Sequence, residues 1–456
     1  MQMNAIDFEK SNERINKIVY LGIEVKKREL TGKCLLAAVL AKRGYTVVLC
    51  HKLDARYFAS TNLPGIFIDK DYTEHRSKDW KSIIANDSMV YAWDEEGIEE
   101  VFPYEFELRT GKTSIEMAKG IFLWGDAQLE MIKQFGVDES KMHIVGNPRM
   151  DLLGDNLKYF YETEANKNVQ KYGKYILVNL NFCLDEGVGK WTDILAMEAE
   201  KTLSESVEAA IDERFEQSRN MVNIYCELIE ELSSNLPYTI IVRPHPGEKR
   251  VDWWKKRFCK YDNVVVNREG DANCWMYGAI IMIHPGCTTA LEAYISRIPT
   301  ITYNPIEDYS VPVFSELSKK ANSMEDVVSI VKDYIDGKCD ESVFFDAERD
   351  DLIGKHILLS KDKTSCERIA DIFDQHEYIN KNVEFTVKES FKMRIWHYRR
   401  LIAHLRGRDV NDKFEYTYTS EIKKAVKASC QKMDYDYSNM RIKWLGANRF
   451  EITYKK

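Results

Sequence analysis

Residues 278–304 read GAIIMIHPGCTTALEAYISRIPTITYN. The stretch opens on a short apolar run, AIIMI, rich in β-branched residues, which predicts a buried strand. His284, Pro285 and Gly286 break it, and a helix-like pattern follows whose first turn carries Thr288 and Thr289. A second short apolar run, PTITYN (299–304), closes the segment. Strand, turn, helix, strand is the unit of a parallel sheet, because a right-handed helical crossover joins parallel neighbours.

The same alternation extends in both directions. Upstream lie the strand-like KYILVNL (174–180), a long helical region around 204–233, YTIIVRPHPGE (238–248) and NVVVN (263–267). The first third repeats the theme. INKIVYLGIEV (15–25) leads into a helix-like stretch at 28–43 that Gly44 stops, and YTVVLC (45–50) and GIFIDK (65–70) follow. After an amphipathic segment near 77–86 come SMVYAW (88–93), IFLWG (121–125), DAQLEMIKQFG (126–136) and MHIVGNPRMDLL (142–153). The polar stretch 154–173 reads as a linker. The expected fold class is therefore α/β: two Rossmann-like, doubly wound domains over 1–155 and 174–340, the GT-B architecture, with the ligand in a cleft between them. Residues 341–456 read as a C-terminal helical and β extension.

Composition narrows the classes. The 456 residues are 44% hydrophobic, enough to fill cores, so general disorder is excluded. A net charge of −8 with dispersed Lys and Arg argues against a nucleic-acid binder. Ten cysteines without a CxxC read as free thiols of a reducing compartment. The polar start shows no signal peptide, and no apolar run reaches the ~20 residues of a membrane span, so a cytoplasmic location is expected. Within 386–408, Phe391, Ile395, Tyr398, Ile402 and Leu405 fall on one helix face flanked by Arg and Lys. That face is either a peripheral contact with the cytoplasmic membrane or a helix packed on the body.

Four constellations carry candidate chemistry. Asp94, Glu95 and Glu96 follow the strand SMVYAW, with Gly97 allowing a sharp turn; crowding and burial are expected to raise one carboxyl toward the acid/base range. Arg243, Pro244, His245 and Pro246 follow YTIIV, where two prolines hold the histidine at the strand end and Arg243 can meet a phosphate. His284, Gly286, Thr288 and Thr289 form a strand–helix turn suited to a phosphate, and Glu292 one turn on can accept from ribose hydroxyls. Asn179 and Asn181 share one face at the end of KYILVNL, with Asp185 close behind. Arg28 and Glu29, at the first strand–helix turn, with Asp94, read as acceptor-side residues. The plainer readings are a solvated acidic turn, a rigid loop, a threonine N-cap and a polar strand end. No P-loop, GxGxxG, HExxH, nucleophile elbow or metal-spaced cluster is present, so no metal and no cofactor beyond the donor substrate is expected.

WDEEG, FLWG with VGNPRMDLL, RPHPGE and HPGCTTALEAY, in that order over residues 15–305, resemble the bacterial surface-carbohydrate biosynthesis glycosyltransferases. These are related to the retaining β-Kdo transferases and, more distantly, to bacterial sialyltransferases. The resemblance implies a GT-B fold and a CMP-activated ulosonic acid donor, either Kdo or a nonulosonic acid such as a sialic acid, passed to a surface-glycan acceptor. It implies a general base at Glu96, with Glu95 as the alternative, and a histidine on the donor phosphate at His245. It also implies CMP-phosphate contacts from Thr288 and Thr289, and a carboxylate nucleophile, for which Asp185 is the candidate in this sequence. Three other readings share these features: a CDP-polyol phosphotransferase of the teichoic-acid type, a UDP-sugar 2-epimerase, and a non-catalytic nucleotide-sugar-binding scaffold.

Overall fold

The computed structural model describes residues 15–98, 105–154, 157, 160–182, 188–306, 312–379, 395, 398–399, 402, 406, 416–446 and 448–455. They fall into two compact α/β units. The first draws on 1–97, 110–152 and 358–456, and the second on 98–109 and 153–357.

The first unit is built on a sheet of eight strands. Six are mutually parallel: β1 (Ile18–Ile23), β2 (Thr46–His51), β3 (Ile66–Asp69), β4 (Met89–Trp93), β5 (Gly120–Leu123) and β6 (Met142–Ile144). Strands β1 to β5 are buried on both faces, which is why they read as continuous apolar runs instead of alternating ones. The spatial order β2-β1-β3-β4-β5-β6 reverses direction between β1 and β3. In such open sheets that reversal leaves a crevice at the carboxyl ends of the two strands.

Helix α1 (Lys26–Lys42) crosses from β1 to β2 and is buried over most of its circumference. Gly32 sits inside it because a side chain there would meet the Arg149 backbone at 3.1 Å. Gly44, at φ +86°, ends it. The sequence reading missed α2 (Lys52–Thr61), which follows β2.

The described C-terminal helices and strands pack onto the first unit. The helix Ser365–Asp374 packs against α1, as does the helix Thr419–Lys432. β13 (Met440–Gly446) and β14 (Arg449–Tyr454) form an antiparallel hairpin, and β14 pairs with β2 to extend the first sheet. The amphipathic segment 386–408 lies outside the described residues apart from five isolated positions, of which Ile395, Tyr398 and Ile402 are exposed. Among the described residues no helix is long and apolar enough to cross a membrane.

The second sheet is wholly parallel. It comprises β7 (Tyr175–Asn179), β8 (Thr239–Arg243), β9 (Val264–Val266), β10 (Ala279–His284), β11 (Thr300–Tyr303) and β12 (Lys319–Ala321), in the order β12-β11-β10-β7-β8-β9. Its reversal falls between β7 and β10. Ile176, Val178, Ile240, Val242, Ile281 and Ile283 fill one core, under the helix Glu205–Asn235. Tyr175, Leu177, Ile241 and Met282 fill the core on the opposite face. The stretch expected to be a linker contains the helix Glu162–Tyr172, whose narrow inward stripe, Ala165 with Val169 and Tyr172 against the second core, is set among polar residues.

Candidate functional site

In the first unit the strand ends are packed with charge. Beyond β4, Asp94 and Glu95 are buried and Glu96 is half-exposed. The Asp94 carboxylate accepts from the Glu96 N–H at 2.9 Å, and its carbonyl accepts from Trp124 Nε1 at 2.8 Å, which fixes the turn. Gly97 is required by crowding: a Cβ would stand 2.9 Å from both Trp124 Nε1 and Gln128 Nε2.

Glu95 Oε1 accepts from Trp93 Nε1 at 2.6 Å and lies 2.7 Å from Lys33 Nζ, which also sits 4.1 Å above the Trp93 ring. Burial pushes Glu95 upward, but the Lys33 ammonium outweighs it and holds the carboxyl below its usual range. The expectation that the buried acid of this trio rises toward acid/base work is therefore corrected: its charge is neutralised by a lysine from α1. Lys33 had a signal in the sequence, as the only charged residue between Glu29 and Lys42 in an otherwise apolar helix. A charge so placed needs a buried partner.

Glu96 Oε1 meets Arg28 Nη1 at 2.5 Å, with both side chains partly open to solvent. Glu29 turns inward, accepting from the backbone N–H groups of Glu24 and Val25 at 2.9 Å each. It braces the start of α1 instead of facing an acceptor. At the reversal point, Glu24 after β1 takes Lys70 after β3 at 2.5 Å and Lys52 after β2 at 2.6 Å. The sequence reading missed these three, although each is the first charged or first basic residue past its strand.

In the second unit the strand ends at the β7/β10 reversal are held by neutral hydrogen bonds. His284 is fully buried; its Nδ1 accepts from the Gly286 N–H at 3.0 Å, and its Nε2 lies 2.8 Å from Ser318 Oγ. Ser318 Oγ in turn donates to the Phe314 carbonyl, so the chain of bonds assigns the proton to Nε2. Burial drives the His284 pKa down to about 3, leaving a neutral brace for the turn and not a ligand-facing group. Gly286 takes φ +106°, open only to glycine at low cost.

Asn179, at the end of β7, donates across the reversal point to Thr289 Oγ1 at 2.8 Å, and Asn181 donates to the Gly286 carbonyl at 2.7 Å. Both asparagines thus shape the turn. Cys287 Sγ stands 2.7 Å from the same Thr289 hydroxyl. Thr288 is half-buried at the head of the helix Thr289–Ile295, and Glu292 is buried within it.

Arg243 also differs from expectation. Its guanidinium is buried and donates to the carbonyls of Asn267, Glu269 and Gly270 over the Trp275 ring, so it builds a loop instead of reaching for phosphate. His245 is exposed, and its Nδ1 accepts from the Gly247 N–H at 3.1 Å. Pro246, exposed beside it, offers its carbonyl to Arg268, while buried Glu248 takes three donors of Arg250. The loop that presents His245 is thereby fixed on both sides. Asp185 lies outside the described residues. Among the described residues no group of three or more His, Cys, Asp or Glu could hold a metal ion.

Two successive Rossmann-like units with polar groups gathered at the strand carboxyl ends define a GT-B glycosyltransferase-like fold. A solved structure supports this fold, and others resemble it more weakly. A variant of the wall teichoic acid polymerase TagF soaked with CDPG matches at TM-score 0.50 and 11% identity, over 81% of this chain and 89% of that one. The Methanocaldococcus jannaschii UDP-GlcNAc 2-epimerase with UDP-GlcNAc and UDP matches at 0.44 and 16%, over 78% and 99%. The S. aureus MnaA–UDP structure matches at 0.49 and 12%, over 79% and 96%. No family model and no curated protein matches the chain.

Proposed function

We propose that this chain is a glycosyltransferase that moves an ulosonic acid, Kdo or a nonulosonic acid, from a CMP-sugar to a surface-glycan acceptor on the cytoplasmic side of the membrane. The observation that carries the reading is the turn at the β7/β10 reversal. There a glycine with φ +106°, held by Asn181 and His284, leads into Thr288 and Thr289 where an open α/β sheet takes its ligand. The second unit binds CMP through this turn. His245 donates from Nε2 to the departing phosphate, offsetting the charge that develops there without a metal. The first unit supplies Glu96 as base, because Glu95 is committed to Lys33 and Glu96 is the half-exposed member of the trio.

Two measurements test this. In a thermal-shift panel, CMP should stabilise the protein above CDP and UDP; a ligand at ~100 times its Kd adds about 2.7 kcal/mol. A preference for CDP turns the reading to a polyol phosphotransferase, one for UDP turns it to an epimerase, and CMP binding without turnover leaves a scaffold. His245→Ala should lower transfer from a CMP-ulosonate at least ~100-fold, the scale of losing one transition-state donor. Wild-type turnover in that variant would remove His245 from the mechanism.

A further inference from the structure

The chain carries net charge −8, yet residues 416–455 hold eight Lys and Arg against four Asp and Glu. The excess faces solvent. In the helix Thr419–Lys432, Ile422, Val426, Ser429 and Cys430 pack inward, while Lys423, Lys424 and Lys427 are exposed.

Large apolar side chains are exposed on the segments that flank this helix in the chain. Tyr416 and Tyr418 are 53% and 62% accessible, and their rings meet edge to face at 5.0 Å. Trp444, on the edge strand β13, is 53% accessible. A short series of contacts brings them to one corner of the first unit. Thr417 N–H donates to Asn448 in the β13–β14 turn at 2.7 Å, and Trp444 pairs in register with Phe450 just past that turn. Arg449 between them ion-pairs with Asp54 at the head of α2, next to exposed Leu53. Lys26 Nζ, at the head of α1, donates to the Tyr416 carbonyl at 3.0 Å. Because Lys26 follows β1 and Lys52 follows β2, the corner lies at the carboxyl end of the first sheet.

Exposed tyrosine and tryptophan rings on elements adjoining a lysine-bearing helix suit a bilayer interface, where rings settle at headgroup depth and ammonium groups meet lipid phosphates. We propose that this corner docks the protein on an anionic lipid surface. The lysines supply attraction to the headgroups, and Tyr416, Tyr418 and Trp444 supply shallow insertion. The carboxyl-end face of the first sheet is then held beside the membrane.

The experiment is co-sedimentation of the full chain with vesicles of phosphatidylcholine alone and of phosphatidylcholine mixed with phosphatidylglycerol, at low and high salt. The wild type should pellet with the mixed vesicles, fail to pellet with the neutral ones, and be released by salt. K423E/K424E/K427E should lower the partition coefficient at least ~10-fold, and Trp444→Ser several-fold, by about the loss of one interfacial ring. Circular-dichroism melts matching the wild type show that both variants fold, as expected for exposed positions. Failure of the wild type to bind anionic vesicles overturns the proposal, as does wild-type partitioning of the folded triple variant, which would assign binding to another part of the chain.

Discussion

At the reversal point of the first sheet, between β1 and β3, a carboxylate and an ammonium meet: Glu24 and Lys70, at 2.5 Å. At that of the second sheet, between β7 and β10, a carboxamide meets a hydroxyl: Asn179 and Thr289, at 2.8 Å. The contrast runs through both strand-end clusters. Glu95 and Lys33, Glu96 and Arg28, and Asp69 and Arg56 hold the first with formal charge. His284 and Asn181 hold the reversal turn of the second with dipoles and backbone. A charge-held site loses most when one partner is removed, whereas a dipole-held site yields in smaller steps.

The largest effect should come from breaking the buried pair in the first unit. Lys33→Met leaves Glu95 buried without its counter-charge and should cost about 3–5 kcal/mol of stability, read by urea unfolding. Adding Glu95→Gln should recover a large part of that loss, because the orphaned charge is then gone. If the double variant is no more stable than Lys33→Met, the pair is not what holds the turn.

The next test separates the two glutamates by activity. Glu96→Gln should keep the wild-type melting temperature and lower turnover of a CMP-ulosonate ~100-fold, the low end for a general base. Glu95→Gln should show its deficit in stability, because it strips Lys33 of its partner. A folded, inactive Glu95→Gln beside an active Glu96→Gln would reverse the assignment.

This distinction also marks how far the sequence could be read. The strands were legible because burial on both faces forces continuous apolar runs. The helices Glu162–Tyr172 and Lys52–Thr61 escaped notice, one because its narrow apolar stripe is set among polar residues and the other because it is only ten residues long. The pairing of β14 with β2 joins residues about four hundred positions apart, which no local pattern encodes. Within the candidate site, residue types marked the turns at the strand ends but not the direction of each side chain. Arg243 and His284 had the chemistry of phosphate ligands, yet three carbonyls claim one and Ser318 with the Gly286 N–H claims the other.

Mild acid should sharpen the contrast between the units. The folded-state pKa of His284 is depressed from 6.5 to about 3, so unfolding takes up a proton once pH falls below 6.5. The stability it contributes is full above 6.5 and is lost as pH falls toward 3, by about 2 kcal/mol between pH 6.5 and 5. Asp151 in the first unit has the opposite sign. Burial, opposed by hydrogen bonds from Ser365, raises it from 3.8 to about 6. Its contribution is full below 3.8 and is lost as pH rises through 6, so the same acid step adds about 1 kcal/mol. Hydrogen exchange at pH 5 and 7 should therefore show protection falling around β10 while it holds or rises around the helix Ser365–Asp374. The reverse order would show that burial does not govern these two groups.

The smallest expected effect tests the neutral staple directly. Asn179→Ala removes one hydrogen bond across the β7/β10 reversal and should cost about 1 kcal/mol, the usual net worth of such a bond. The side chain is buried beside Cys287, so truncation also leaves Thr289 Oγ1 with the Cys287 sulfur as its remaining neighbour. On the proposed reading, in which this turn holds CMP, a loosened Thr289 matters more for nucleotide binding than for folding, since the turn must hold its shape before the ligand arrives. CMP affinity in Asn179→Ala should therefore weaken about 5–10-fold, an effect comparable to the stability loss when both are expressed as free energies. Asn179→Asp supplies the contrast, because it keeps the size of the side chain and places a carboxylate at the reversal point, as in the first unit. If this region is kept free of fixed negative charge for the sake of an anionic ligand, Asn179→Asp should weaken CMP more than Asn179→Ala does, and high salt should narrow the gap. Equal affinities in the two variants would mean that the asparagine serves the turn's geometry alone.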